Sequence, residues 1–254
     1  MPTNVTLDAE TRGELTIYPV RSVAVFGVDA FVTDRFGGVS DVPYDSLNLG
    51  DHVGDDTSNV VENRRRIANA AHVMPERLTI VRQVHGDIVL DASFASASSE
   101  ADGLFTERDD VALAMLVADC LPILLVDSAS RRVALVHAGW RGLSKGVIAK
   151  ALRVFESCAT VHAFVGPSIS REAYQVGPEV AQHFSDIEGA LLPDGDDRSR
   201  LDLRLIATHQ LLQRGVSDTS IVHSRQVTDG GEVFFSDRAH RPCGRFALVA
   251  KRVS

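Results

Sequence analysis

Three side chains with metal-ligand chemistry stand at the ends of apolar runs: His85 in QVHGD, Cys120 in ADCLP and His137 in VHAGWRG. Zinc takes thiolate sulfur and imidazole nitrogen readily. Three protein ligands leave a fourth position free, which is the arrangement of a catalytic rather than a structural site. The long separations, from 85 to 120 and on to 137, are unlike the short clips of zinc fingers. Spacing alone therefore leaves a plainer reading open, in which Cys120 is a small inert core residue and the two imidazoles bond neighbouring carbonyls. Context bears on the choice. The run VALAMLVA leads straight into Asp119 and Cys120, setting a carboxylate and a thiol at the mouth of a buried sheet. Metal coordination deprotonates the thiol and offsets its desolvation. Asp119 would then orient an imidazole or accept a proton from bound water.

These residues need elements to carry them. Leu15–Val20 and Ser22–Thr33 read as strands, and Asp34–Ser40, with Gly37 and Gly38 together, as a turn. Asp56, Thr57 and Ser58 offer N-cap oxygens to a helix through Val60, Val61, Arg64, Ile67 and Ala71, whose spacing makes one apolar face. Leu78–Val84 and Ile88–Asp91 read as strands with His85 and Gly86 at the break, followed by a loop over Ala92–Ser99. VALAMLVAD and RVALVHA read as buried strands. Leu143–Phe155, Pro178–Phe184 and Leu201–Arg214 read as helices, the last two separated by the acidic loop LLPDGDDRSR. Val161–Val165, Ser220–His223, Val233–Ser236 and Phe246–Val249 complete the strands. Without a clean βαβ repeat, the pattern predicts an α+β fold with mixed sheets. No repeat or linker divides the sequence, so residues 1–254 are expected to form a single catalytic domain with a flexible N-terminus over residues 1–12.

Composition narrows the function. Of 254 residues, 44% are hydrophobic and 24% charged, an ordinary globular balance. With 34 acidic against 26 basic side chains the formal charge is −8, which argues against nucleic acid or a membrane surface and for small-molecule partners. Three scattered cysteines, Cys120, Cys158 and Cys243, cannot all pair, and the acidic N-terminus lacks the apolar core of a signal peptide. A cytoplasmic enzyme is expected. The greasiest run, Val111–Val126, is broken by Asp119 and Pro122 and falls short of a membrane span.

The segments TDRFGGVS, SLNLGDHVGDD, ENRRR, RQVHG, ADGLFT, ADCLPILLVD, VHAGWRGL, GPSI, YQVG and FFSDR resemble the YfiH-type family, and they extend over nearly the whole chain. That family carries the names polyphenol oxidase, laccase-domain protein and zinc-dependent purine nucleoside enzyme. The resemblance implies that His85, Cys120 and His137 bind zinc, and Asp119, read above as a proton acceptor, is expected to act with Cys120 and His137 as the catalytic group. It implies phosphorolysis of adenosine, inosine and methylthioadenosine, plus deamination of adenosine, so the partners are purine nucleosides and inorganic phosphate. It also implies a layered α/β/β/α sandwich similar to the catalytic domain of cytotoxic necrotizing factor. One loop departs from the family pattern: Val227-Thr228 stands in place of Cys-Thr, and Asp237 in place of Tyr.

Both reactions make demands on the residues. Deamination needs a nucleophilic water, which zinc can supply, with Asp119 moving the proton. The usual deaminase signature of H-x-E with P-C-x-x-C is absent. Phosphorolysis needs a cationic cradle for phosphate, and arginine binds its oxygens bidentately. Arg35, Arg64 and Arg141 are the candidates, each otherwise a surface or ion-paired arginine. Gln83 shares a strand face with His85, and Asn48 suits a base edge or ribose hydroxyl, or a turn. Trp140 and Phe105 are candidates to stack on a purine, and His52 is a further one near the motifs. The resemblance also brings three rival functions. A copper-dependent polyphenol oxidase would need on the order of ten His in a cluster, and the chain has nine without an H-x-H pair, although copper could displace zinc from a His₂Cys site. A metal-free hydrolase or deamidase would use Cys120 as nucleophile and His137 as base. A peptidoglycan-precursor editing factor would show a groove for a nucleotide-linked amino sugar and no phosphate dependence.

Overall fold

Alternation along the central strands sets the architecture. In Leu121–Asp127, Leu121, Ile123 and Leu125 enter one apolar cluster and Leu124 and Val126 another; in Val133–Ala138, Ala134 and Val136 part from Val133 and Leu135 in the same way. A strand buried on both faces needs cover on both. The computed structural model describes residues 2–253 and supplies that cover with two facing sheets and helices outside them.

The seven-stranded sheet runs, in spatial order, Thr3–Val5, Ile221–Ser224, Val161–Val165, Leu121–Asp127, Val133–Ala138, Gly103–Thr106 and Val89–Asp91. Its middle is antiparallel, with Leu135 opposite Leu124, and its edge pairs are parallel. The six-stranded sheet runs Glu10–Arg12, Leu15–Pro19, Val28–Thr33, Phe246–Arg252, Ala112–Val117 and Leu78–Thr79, with Leu248 opposite both Val32 and Met115. Between the sheets lies a cluster built from Val32, Met115, Val117, Phe246 and Leu248 on one side and Leu104, Leu124, Val126, Leu135 and Phe164 on the other. Helices Trp140–Lys145, Val147–Leu152 and Leu203–Gln213 cover the outer face of the larger sheet. The helix Thr57–Ala70, capped by the Asp56 carboxylate accepting from the Ser58 N–H, covers the other with Ile67 and Ala70. A small sheet pairs Ser199–Leu201 with Leu191–Pro193 across the stretch read as an acidic loop, and with Gln175–Val176 ahead of the helix Pro178–Ala181.

The fold is the mixed α/β arrangement expected, with six local corrections. Ser22–Thr33 is not one strand: Arg21–Phe26 is a 3-10 helix, and the strand starts at Val28 after Gly27 turns left-handed at φ 68°. Leu143–Phe155 begins earlier and breaks at Gly146, φ 83°, into two short helices. Val233–Ser236 is not a strand, whereas LPILLVD is a central one. Pro122 lacks an N–H, which hides that strand in sequence; it sits near the strand's start opposite His137, and its carbonyl accepts from the Gly166 N–H. Leu78–Val84 is a strand only over Leu78–Thr79, leaving the segment to His85 free to line a cavity. Finally, where residues 1–12 were expected to be flexible, Thr3–Val5 and Glu10–Arg12 pair as sheet strands; Met1 lies outside the described residues. No helix among the described residues is long and apolar enough to cross a membrane.

Candidate metal centre

At Asp119 the chain changes sheets. Ala112–Val117 belongs to the six-stranded sheet and Leu121–Asp127 to the seven-stranded one, so the crossing takes three residues. Asp119 has φ 85°, a left-handed conformation that a non-glycine residue holds only when its surroundings fix it. Its carboxylate accepts hydrogen bonds from Thr228 Oγ1 (2.6 Å), Ser236 Oγ (2.7 Å) and the Arg238 N–H (2.7 Å). Cys120 follows at once and packs its half-buried side chain against the cluster between the sheets. His137, near the end of Val133–Ala138, is buried, and by strand alternation it points the same way. His85 reaches in from the loop between Leu78–Thr79 and Val89–Asp91, also left-handed at φ 56°.

The three meet. His85, Cys120 and His137 each place a ligand atom within 4.8 Å of the others. Cys120 Sγ lies 3.9 Å from His85 Nε2, and the two imidazoles meet edge-on with centroids 4.8 Å apart. Zinc–ligand bond lengths in a tetrahedron require sulfur and nitrogen ligands roughly 3.5 Å apart. The observed separations need a contraction of a few tenths of an ångström to about one, which side-chain rotation can provide. Gly139 keeps this space open: a methyl there would stand 2.7 Å from Cys120 Sγ and 3.2 Å from His85 Cδ2.

Asp102 holds the arrangement together. Fully buried, its Oδ1 accepts from the His85 N–H (2.9 Å) and meets His137 Nδ1 at 2.8 Å. Its Oδ2 accepts from the N–H groups of Val84 (3.2 Å) and Gly86 (2.5 Å). One carboxylate thus sets both the loop that carries His85 and the tautomer of His137, whose Nε2 is left for an ion. Burial alone would raise the Asp102 pKa, but the His137 imidazole and the backbone donors prevail and lower it. In the metal-free protein burial also opposes charge on Cys120 and His137. Their mutual attraction outweighs it, bringing the thiol down to about 6 with help from His85, and the imidazole up to about 9 with help from Asp102.

The group opens onto a cavity of about 1100 Å³. Six arginines (64, 82, 141, 238, 241 and 245) line it against three aspartates (51, 119 and 237), the reverse of the chain's overall charge balance. Arg64 pairs with Asp51 at 3.2 Å, Arg82 with Glu100 at 3.2 Å, and Arg245 and Arg241 with Asp237. Arg141, exposed over the Trp140 ring at 4.3 Å, has no carboxylate partner among the described residues.

Other sequence-derived candidates are placed differently. Gln83 lines the cavity, but its amide donates to Leu116 O (2.7 Å) and accepts from Leu116 N–H (2.9 Å), so it splices a loop to a strand. Arg35 does not line it: the guanidinium donates to the Asp45 and Gly231 carbonyls and stacks on Phe235 at 4.8 Å. Asn48 is fully buried outside it, bonded to Gly50, Asp55 and the Arg245 N–H. Trp140 and the exposed His52 face the cavity, whereas Phe105 packs under the helices. The imidazole-orienting role expected of Asp119 belongs to Asp102, because Asp119 is committed to the loop around Ser236. Sequence reasoning does not single out Asp102 in ADGLFT, nor the cavity-lining Tyr174 in YQVG and Arg238 in FFSDR, because neither residue type nor spacing marks them.

Two facing mixed sheets with a His–Cys–His group at a cationic cavity define the class of protein. The family model described as multi-copper polyphenol oxidoreductase laccase matches residues 29–252, and the chain belongs to that family. It is 37% identical over 227 residues to an Escherichia coli relative named purine nucleoside phosphorylase YfiH, covering 87% of this chain and 92% of that one. It is 37% identical over 224 residues to a Mycobacterium tuberculosis protein also named purine nucleoside phosphorylase, covering 85% and 89%. Among solved structures, YlmD from Geobacillus stearothermophilus matches with a TM-score of 0.90 at 31% identity, over 98% of this chain and 99% of that one.

Proposed function

We propose that the chain is a zinc-dependent purine nucleoside phosphorylase that cleaves adenosine, inosine and methylthioadenosine with inorganic phosphate and also deaminates adenosine. The observation that carries the proposal is the juxtaposition, in one cavity, of a His₂Cys group with an open side and an excess of arginine. The relatives' names agree with the phosphorylase part of it. When bound, zinc supplies Lewis acidity and lowers the pKa of a coordinated water toward about 7.

The chain's own residues do the rest. Arg141 and the surrounding guanidiniums hold phosphate against the ribose. A phosphate oxygen bonds to C1′ as the bond to the purine nitrogen breaks, its electron pair leaving with the base. The proton lost by hydrogen phosphate balances the one the purine takes up. Tyr174 stays protonated, since burial and then the neighbouring Cys120 thiolate raise its pKa, so its hydroxyl serves as a donor to substrate. Deamination needs a proton acceptor near the group, and Asp119 is the cavity carboxylate beside Cys120. Because Asp119 already accepts three hydrogen bonds, that role requires the loop around Ser236 to loosen.

Copper enters this reading only as an ion displacing zinc. The described residues form one group of three metal-ligating side chains, whereas a multicopper oxidase needs several. One observation favours a second reading: Cys120, His137 and Asp102 stand in the order nucleophile, base and orienting carboxylate. That is the arrangement of a metal-free Cys–His hydrolase or deamidase, the chemistry expected if the layering is shared with the cytotoxic necrotizing factor catalytic domain. The discriminating experiment incubates purified protein with inosine, with and without phosphate, before and after chelation. Release of base that needs both phosphate and metal, and that Cys120→Ala abolishes, supports the phosphorylase. Full turnover by Cys120→Ala contradicts it, and hydrolysis surviving complete metal removal favours the Cys–His enzyme.

A further inference from the structure

Asp237, Arg238, Arg241 and Arg245 line the cavity from one stretch of chain, and the Asp119 carboxylate ties that stretch to the segment carrying Cys120. Asp119 grips it at Thr228, Ser236 and the backbone N–H of Arg238, more than a hundred residues further along the chain. Arg238 is the cavity arginine in that grip. Four of the six cavity arginines are neutralised by aspartate or glutamate. Arg238 has no carboxylate partner among the described residues; its guanidinium lies 5.0 Å over the Tyr174 ring and donates once, to Gln175 O at 3.0 Å. Most of its five donors remain available in a cavity that also holds the unpaired Arg141. Resting on the phosphorolytic reading above, we propose that Arg238 binds the inorganic phosphate and that Asp119 is the positioning residue that aims it. The residue next to a metal ligand therefore also sets the phosphate subsite, fixing the distance between the two.

Asparagine at position 119 is a selective probe. Its carbonyl oxygen still accepts from Thr228 and Ser236, but its amide nitrogen then meets the Arg238 N–H, donor against donor. Phosphate affinity of Asp119→Asn is expected to fall about tenfold, and that of Arg238→Gln by about ten- to a hundredfold, the range for a charge-assisted hydrogen bond. The KM for inosine and the bound-metal content should change less than about twofold, since phosphorolysis of inosine does not draw on the proton-accepting role of Asp119 and neither residue is one of the three metal-ligating side chains. The double variant should be no worse than Arg238→Gln alone, because both changes act through one guanidinium. The KM for phosphate is measured in turnover. Inorganic phosphate is also titrated against the fluorescence of Trp140, the only tryptophan, on metal-loaded and metal-free protein. Losses that add in the double variant, or a fall in metal content that accounts for the lost affinity, would overturn the role of Asp119. Unchanged phosphate affinity in Arg238→Gln overturns the subsite, and decides it even if Asp119→Asn does not fold. A wild-type protein that binds no phosphate and shows no phosphate-dependent turnover instead removes the phosphorolytic reading itself.

Discussion

Replacing Asp102 by asparagine changes no volume and removes one acceptor from the centre of the site. The Oδ1 side serves His85 N–H and His137 Nδ1, and the Oδ2 side serves the N–H groups of Val84 and Gly86, so whichever way the new amide turns, its nitrogen faces donors. Turned toward His137, the amide nitrogen favours the other tautomer and places a proton on Nε2, the atom an ion needs. Turned the other way, it pushes on the left-handed loop that presents His85. Losing the partner of a metal-bound imidazole typically weakens metal affinity about 10- to 100-fold, or about 1.4 to 2.7 kcal/mol. Stability should fall by a further amount of about 1–3 kcal/mol for the unmade buried hydrogen bonds. Competition for zinc against a chelator gives the first number, and urea unfolding of the metal-free protein gives the second. Wild-type zinc affinity in Asp102→Asn would refute the claim that this carboxylate orients the ligands.

Three other perturbations follow from the same geometry. Gly139→Ala should fold but lose zinc binding by at least about tenfold, since its methyl would intrude on Cys120 Sγ and His85 at 2.7 and 3.2 Å; metal analysis of the purified variant checks this. In the metal-free protein the Cys120 thiolate contributes stability above the ordinary thiol value of 9.0 that is lost as pH falls through about 6. The His137 contribution is complete below 6.5 and lost as pH rises through about 9. Alkylation of Cys120, mapped by mass spectrometry, should therefore be half-maximal near pH 6 and move upward in His137→Ala; a wild-type midpoint near 9 would contradict the pairing. Asn48→Ala should lower unfolding free energy by about 2–4 kcal/mol while leaving the KM for phosphate and inosine unchanged, because it removes several buried hydrogen bonds away from the cavity.

The ligand trio was legible through the resemblance carried by RQVHG, ADCLP and HAGWRG; spacing alone left an inert-core reading open, and the strand expected to aim His85 ends at Thr79. Asp102 was not, because a carboxylate before Gly103 looks like a turn former. Only the fold shows that it is buried under four donors from two distant segments. For Arg35 and Asn48 the plainer readings held, an ion-paired arginine at Asp45 and a turn closed on the Gly50 N–H; their further partners at Gly231 and Arg245 lie almost two hundred residues away and were not legible. The central strand at Leu121 was masked by Pro122, and the helix after Trp140 was drawn too long because its apolar spacing continues across Gly146. Periodicity reports which face is apolar. It does not report which polar groups an unseen loop will bring to it.

X-ray absorption at the zinc edge, on protein purified without added metal and titrated to one equivalent, examines the metal centre most directly. One sulfur and two imidazole nitrogens should appear around a single ion per chain, with the sulfur lost in Cys120→Ala and one imidazole lost in His85→Ala. An ion surrounded only by oxygen, or an unchanged spectrum in Cys120→Ala, would contradict the account.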